Sequence, residues 1–176
     1  MDGALAFADA AAFEQWLDEN HDTVSEVWVA IAKKASGIPS ITSDEANDVV
    51  LCFGWMGGLR KGLDDQHFLQ RYSPRAARST WSQVNVARVA QLAQAGRMRP
   101  SGRAEVDRAR ADGRWDAAYA SQASYELPDD VDEAWLDGLG RTERYLAVLP
   151  VLKARTAADR ERAITRLRGR TSDRPL

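Results

Sequence analysis

The sequence predicts an α+β fold in which a small antiparallel sheet packs with helices and precedes a helical C-terminal segment. The sheet is predicted from a strand near residues 26–33 and a hairpin over residues 59–72. Residues 26–33 alternate Val and Ile with Trp and Ala, and β-branched residues are enriched in strands. Two shorter strand patterns, 59–63 and 67–72, flank residues 64–66, a spacing typical of a β-hairpin. Helical spacing of apolar residues covers much of the remaining chain.

The N-terminal half is predicted to contain two helices that pack on this sheet. The first spans residues 7–20, because its apolar residues repeat every three or four positions and Asp9 is suited to cap it. The second begins at Ser43 and ends before Gly54, so that Cys52 lies on it.

Glycines and serines predict the boundaries of the next elements. Gly57 and Gly58 are expected to form a turn before the hairpin. A third helix is predicted over residues 80–95, with Ser79 as its N-cap and Gly96 closing its C-terminus.

The C-terminal part is predicted to be helical after a polar linker at residues 121–130. We expect an α+β domain over residues 1–120, the linker, and a helical extension over residues 131–176 packed on the same domain. Pro150 is expected to separate two of its helices, and Thr156 to cap the last one. The helical segments are predicted at residues 100–113, 131–138, 143–149 and 157–167.

Composition restricts the classes of function. The single cysteine, Cys52, cannot form an internal disulfide, and two histidines are too few for a histidine-rich zinc site, so we expect no metal and no cofactor. The acidic N-terminal stretch does not resemble a secretory signal, and no apolar run of about 18 residues occurs. The sequence therefore predicts a cytoplasmic protein without a membrane partner.

Positive charge is concentrated in the middle of the chain. Residues 59–114 contain twelve Lys and Arg residues against five Asp and Glu, although the whole chain has a formal net charge of −2. The distribution of charge indicates more about partners than the net charge does, although arginine abundance by itself is weak evidence for anion binding.

A pocket for a small anionic or polar ligand is predicted within and just before this segment. Two arginines near the start of the third helix have planar guanidinium groups whose donors suit carboxylate or phosphate. The N-terminus of a helix also favours an anion. Two tryptophans are expected to form apolar walls, and a serine and an asparagine three residues apart can face one cleft. The predicted site residues are Trp55, Lys61, Arg75, Arg78, Trp81, Ser82 and Asn85.

A purely structural interpretation of the same residues is at least as strong. Ser79 and Asn85 can serve only to hold the backbone, Trp81 can belong to the core, and Arg75 can brace the hairpin through an ion pair. Asp64 and Asp65 are interpreted as a turn rather than a metal site.

Residues 51–58 and 72–85 resemble the YdeI/OmpD-associated family, the bacteriocin-protection or OmdA-type domain. The second stretch carries Pro-Arg, then Ser-x-Trp-Ser, then Asn, and the resemblance spans most of the chain. It implies a small cytoplasmic protein, with stress response or antimicrobial tolerance as its role. Gly57 stands where members of that family often have Asp, so any catalytic or metal role of that acid would be absent.

These observations favour a ligand-binding or stress/antimicrobial-tolerance accessory protein over an enzyme. The alternative is a small enzyme on a phosphorylated or carboxylated metabolite, with Ser82 or Cys52 as nucleophile or Asp48 as base. A nucleic-acid-binding module is the second alternative, disfavoured by the acidic residues that flank the basic segment. The sequence leaves open whether the protein forms a homodimer.

Overall fold

A computed structural model describes residues 3–172 and shows an α+β fold, as the sequence predicts. Within these residues, six α-helices accompany a four-stranded mixed sheet. The strands are β1 (Leu5–Ala6), β2 (Val27–Ala32), β3 (Trp55–Gly62) and β4 (His67–Pro74). The helices are α1 (Ala10–Asn20), α2 (Ser43–Cys52), α3 (Gln83–Gln94), α4 (Pro100–Ala111), α5 (Arg141–Leu152) and α6 (Ala157–Ser172). Short 3₁₀ helices occupy Lys34–Ser36 and Glu133–Leu136.

The chain divides into two compact units, and each is described by itself. The sheet unit comprises the described residues up to 79 together with 87–112, and the helical unit comprises residues 80–86 together with those from 113 to 172. The predicted division into a domain over 1–120, a linker and an extension stays a prediction.

The sheet has the strand order β1-β2-β4-β3, and the predicted strand and hairpin are its three antiparallel members. The hairpin turn forms because the Asp64 carboxylate accepts the backbone N–H groups of Gln66 at 2.7 Å and His67 at 2.6 Å. β1 was not predicted, because two residues that pair in parallel with β2 leave no periodic pattern.

The predicted turn at Gly57 and Gly58 is wrong, since both residues lie inside β3. Gly57 pairs with Tyr72, and the register then shifts before Arg60, which pairs with Gln70. Such a bulge admits one or more unpaired residues, and glycine tolerates it well. The glycines therefore mark a bulge rather than a chain reversal.

The core of the sheet unit lies on one face of the sheet. Val29 and Ile31 of β2 are buried there, together with Phe13 and Leu17 of α1. The Phe13 ring lies 5.7 Å from that of Tyr72 on β4, which places α1 over this face. Asp9 caps α1 as predicted, by accepting the Ala12 N–H at 2.9 Å.

The N-terminus of α4 packs very closely against the end of α2. The backbone N–H of Arg99 donates to the Cys52 carbonyl at 3.0 Å. A Cβ atom at Gly102 would lie only 2.1 Å from the same carbonyl oxygen. Only glycine at this position permits so close an approach of the two backbones.

The third helix begins later than predicted. Ser82 forms an isolated bridge with Tyr119, and the backbone N–H of Tyr119 donates to the Trp81 carbonyl at 3.0 Å. This extended pairing prevents a helix from starting at residue 80. The Ser82 hydroxyl accepts the Asn85 N–H at 3.2 Å, so Ser82 holds the first turn in place of Ser79.

The helical unit has its own core between the second 3₁₀ helix, α5 and α6. Its buried residues are Val131, Leu136, Ala147, Val148, Val151, Ala163 and Leu167. The helix predicted over 131–138 is only the short 3₁₀ turn. Pro150 does not separate two helices but lies, exposed, in the last turn of α5. Proline has no N–H to donate to the carbonyl four residues earlier, and at an exposed position water can take the place of that donor. Thr156 caps α6 as predicted, by accepting the Asp159 N–H at 3.0 Å.

Candidate functional site

Four of the seven predicted site residues lie in the sheet unit. Trp55 is buried at the start of β3, and the backbone N–H of Arg75, which is also buried, donates to the adjacent Gly54 carbonyl at 3.1 Å. Lys61 lies six residues further along β3, with its ammonium group 5.0 Å from the centre of the Trp28 ring. Arg78 is exposed. The fold thus brings Trp55 close to Arg75, while Lys61 contacts a different aromatic ring.

The other three predicted site residues lie in the helical unit. Trp81 is buried and packs against Trp115, with the ring centres 4.9 Å apart. Ser82 and Asn85 are half-buried in the first turn of α3, where the hydrogen bond between them caps the helix. The assignment of all seven residues to one pocket stays a prediction.

The side chains considered for catalysis are engaged or buried. Burial raises the pKa of the Cys52 thiol to about 11, so the thiol is protonated and weakly nucleophilic at neutral pH. Asp48 forms a bidentate ion pair with Arg88, one of whose hydrogen bonds measures 2.8 Å. Neither group has the geometry expected of an activated nucleophile or a general base.

Several cations of the basic segment are paired within the sheet unit. Arg99 contacts Glu14 at 3.1 Å and Asp18 at 2.9 Å, and Arg97 contacts Glu14 at 3.6 Å. Arg88 is bound to Asp48. These ion pairs reduce the positive field that a nucleic acid would encounter.

A concave site is present in the helical unit, and we call it the arginine pocket. Its volume is about 430 Å³, within the range of small-ligand sites. Leu136 of the unit's core contributes to its apolar wall, and two arginines contribute its positive charge. The pocket is lined by Gln122, Ala123, Tyr125, Leu127, Glu133, Leu136, Leu139, Arg141 and Arg144.

Local hydrogen bonds hold the segment that forms one side of this pocket. The Tyr125 N–H donates to the Ser121 carbonyl at 2.8 Å, and the Tyr125 ring packs against Tyr145 at 5.3 Å. The Tyr145 hydroxyl donates to the Ala120 carbonyl at 3.1 Å, and burial raises the pKa of this hydroxyl. These contacts hold Tyr125 where it lines the arginine pocket.

The charge of the arginine pocket comes from α5. Arg144 donates to Glu133 at 2.9 Å, whereas no ion pair to Arg141 occurs among the residues that the structure describes. Glu133 is 72% exposed, so this ion pair contributes little to stability. The Glu143 carboxylate already accepts the Gly140 N–H at 2.9 Å, so the arginines are better placed than the helix terminus to attract an anion.

A second concavity adjoins the arginine pocket, and we call it the acidic hollow. It measures about 390 Å³ and is lined by Glu126, Leu127, Pro128, Asp129, Asp130 and Arg160. Asp130 accepts two hydrogen bonds from Arg160, at 2.6 Å and 2.7 Å, and these lower the pKa of Asp130. Leu127 lines both concavities.

Sequence reasoning missed both concavities. Their residues are separated by turns, and no spacing pattern connects Tyr125 with Arg141. The available signal was the pair Arg141 and Arg144, which lie three apart at the start of a helix and so share a face. Within the described part of the chain, no group of three or more His, Cys, Asp or Glu residues is arranged to hold a metal ion, and no helix is long and apolar enough to cross a membrane.

The comparisons with known proteins overturn the resemblance drawn from the motifs. Residues 5–105, more than half of the chain, match the family described as a domain of unknown function (DUF8412). The match is to this family and not to the YdeI/OmpD-associated family, so that assignment is wrong. The expectations that depended on it, stress response and antimicrobial tolerance together with the interpretation of Gly57 as a replaced Asp, lose their support. No curated protein and no solved structure matches the chain.

Proposed function

Because the chain belongs to the DUF8412 family, whose description names no activity, we propose a function from the geometry of the concave site: the arginine pocket binds a small anionic ligand. The observation that carries this proposal is that Arg141 and Arg144 line one pocket together with Gln122 and Tyr125. Planar guanidinium groups recognise carboxylate and phosphate through paired hydrogen bonds.

The walls of the arginine pocket support this proposal. Three leucines supply apolar surface against which the carbon skeleton of a ligand can pack. The Gln122 amide donates to the Thr142 hydroxyl at 3.0 Å, which orients the amide at the rim and leaves its oxygen able to accept a hydrogen bond. The site therefore combines positive charge, neutral polar groups and apolar contact.

Thermal unfolding in increasing concentrations of inorganic phosphate and of citrate tests the proposal. We expect a stabilisation that grows with the logarithm of the ligand concentration above the dissociation constant and reaches about 2.7 kcal/mol at a hundred times that constant. The substitution Arg141→Gln is expected to weaken this stabilisation, and the double variant with Arg144→Gln to abolish its logarithmic part.

The control is Arg166→Gln, which removes one positive charge from an exposed position outside the arginine pocket. Phosphate also stabilises proteins non-specifically by exclusion from their surfaces, and that effect is common to all variants. An identical shift in wild type, Arg141→Gln and Arg166→Gln would therefore refute specific binding at the pocket.

A further inference from the structure

The sign of the charge differs between the arginine pocket and the acidic hollow, which share Leu127. The arginine pocket contains two arginines and one glutamate. The acidic hollow contains three carboxylates and one arginine, which is bound to Asp130. Among the described residues, no cation pairs with Glu126 or Asp129. The hollow thus retains negative charge where the pocket retains positive charge.

Leu127 is the shared wall between these opposite charges. We expect a ligand that occupies both concavities to contact this apolar side chain and to present an anion to the arginine pocket and a cation to the acidic hollow. Each concavity alone reaches the size range of a ligand site, so a ligand that fills both is larger than a single amino acid.

We propose that the two concavities together bind the carboxyl-terminal end of a peptide that carries a basic residue near its last position. This inference rests on the proposed function, because the terminal carboxylate takes the place of the small anion in the arginine pocket. The basic side chain lies in the acidic hollow beside Glu126 and Asp129, and the backbone between the two charges crosses Leu127. Capture of a terminal carboxylate is a recurrent mode of peptide recognition.

The test uses six-residue acetylated glycine peptides with one lysine at the second, third or fourth position from a free carboxyl terminus. Each has two matched partners, one with norleucine in place of lysine and one with a terminal amide. Binding is measured by isothermal titration calorimetry. We expect at least one lysine peptide to bind about two- to five-fold more tightly than either partner, as for partly exposed ion pairs.

Substitutions show which concavity causes the preference for lysine over norleucine and which causes the preference for the terminal acid over the amide. We expect the double variant Glu126→Gln with Asp129→Asn to lose the preference for lysine over norleucine but to retain the preference for the acid over the amide. Arg141→Gln should show the opposite pattern, and Arg166→Gln should retain both. All of these positions are exposed, so the fold should tolerate the changes, and circular dichroism verifies this.

The outcomes separate the inference from the proposed function. If phosphate binds and depends on Arg141, but no lysine peptide is preferred over its norleucine partner, the peptide inference fails and the anion site stands. A lysine preference that persists without Glu126 and Asp129 also refutes the inference. Free lysine binding as tightly as the best peptide would contradict an extended ligand. If neither phosphate nor any peptide binds, both proposals fail.

Discussion

The sheet unit and the helical unit differ in how closely their elements pack and in how their charged residues are arranged. In the sheet unit, a backbone carbonyl of α2 lies so close to the first turn of α4 that no side chain fits between them. Charged residues such as Arg99 and Asp48 form ion pairs with other residues of the same unit. In the helical unit, a small core is accompanied by concavities with charged walls, among them the arginine pocket and the acidic hollow. The family match covers most of the sheet unit and ends before the first residue of either concavity. The region that defines the family is therefore not the region with the candidate binding site.

The largest contrast is expected from two helical glycines. Gly102→Ala places a methyl group against the Cys52 carbonyl, which forces α2 and α4 apart and should lower the free energy of unfolding by about 3 kcal/mol or more. Gly169→Ala on α6 meets open space, and alanine's higher helix propensity should raise stability by up to about 0.8 kcal/mol. Urea denaturation followed by circular dichroism measures both. If Gly102→Ala is as well tolerated as Gly169→Ala, the close packing described for the sheet unit is wrong.

The second prediction uses Cys52, the only cysteine, to report on the same packing. With a thiol pKa of about 11, only about one molecule in a thousand carries the thiolate at pH 8. Iodoacetamide should therefore label the native protein at least about a hundred-fold more slowly than the denatured protein, because the thiolate is the nucleophile. Intact-mass spectrometry follows the reaction. Gly102→Ala should accelerate labelling, whereas Gly169→Ala should not, and rapid labelling of the native wild type would show that the thiol is not buried.

Elements determined by short-range patterns were predictable from the sequence. Asp9 before an apolar helical stretch, and the turn at Asp64 between two strand patterns, depend on neighbouring residues and appear as predicted. The start of α3 depends on the pairing of Ser82 with Tyr119, which lies 37 positions away. The predicted start was therefore wrong by three residues. Long-range pairing leaves no trace in local periodicity.

The candidate site was less predictable for the same reason. The stretch around Pro128 is polar, and Leu127 within it packs against the core of the helical unit and lines both the arginine pocket and the acidic hollow. A concavity arises from the relative placement of separate segments. Residue type indicates which side chains can bind an anion, but only the fold determines that Tyr125 and Arg141 line the same space.

A smaller effect is expected from two threonine caps, one in each unit. Thr42 accepts the Glu45 N–H at 3.2 Å at the start of α2, and Thr156 accepts the Asp159 N–H at 3.0 Å at the start of α6. Each substitution to alanine removes the capping hydrogen bond and the hydrogen bond from the threonine hydroxyl to the carboxylate, and it should lower the free energy of unfolding by about 1 kcal/mol at neutral pH. Urea denaturation measures the loss, and Thr165→Ala, an exposed threonine inside α6, is the control for replacing threonine on a helix.

The pH dependence of these two caps should differ, and this is the smallest expected effect. Hydrogen bonds lower the pKa of both acids, chiefly from the Thr42 backbone for Glu45 and from the Thr156 side chain for Asp159. A lowered folded-state pKa gives stability that is present above the unfolded-state value, about 4.3 for Glu and 3.9 for Asp, and is lost as pH falls through the folded-state pKa. Thr156→Ala removes the main cause at Asp159, while Thr42→Ala leaves the backbone hydrogen bond to Glu45 intact. Between pH 5 and pH 2, the free energy of unfolding should therefore fall less steeply in Thr156→Ala than in Thr42→Ala. An equal slope in the two variants would show that the Thr42 side chain, rather than its backbone, lowers the pKa of Glu45.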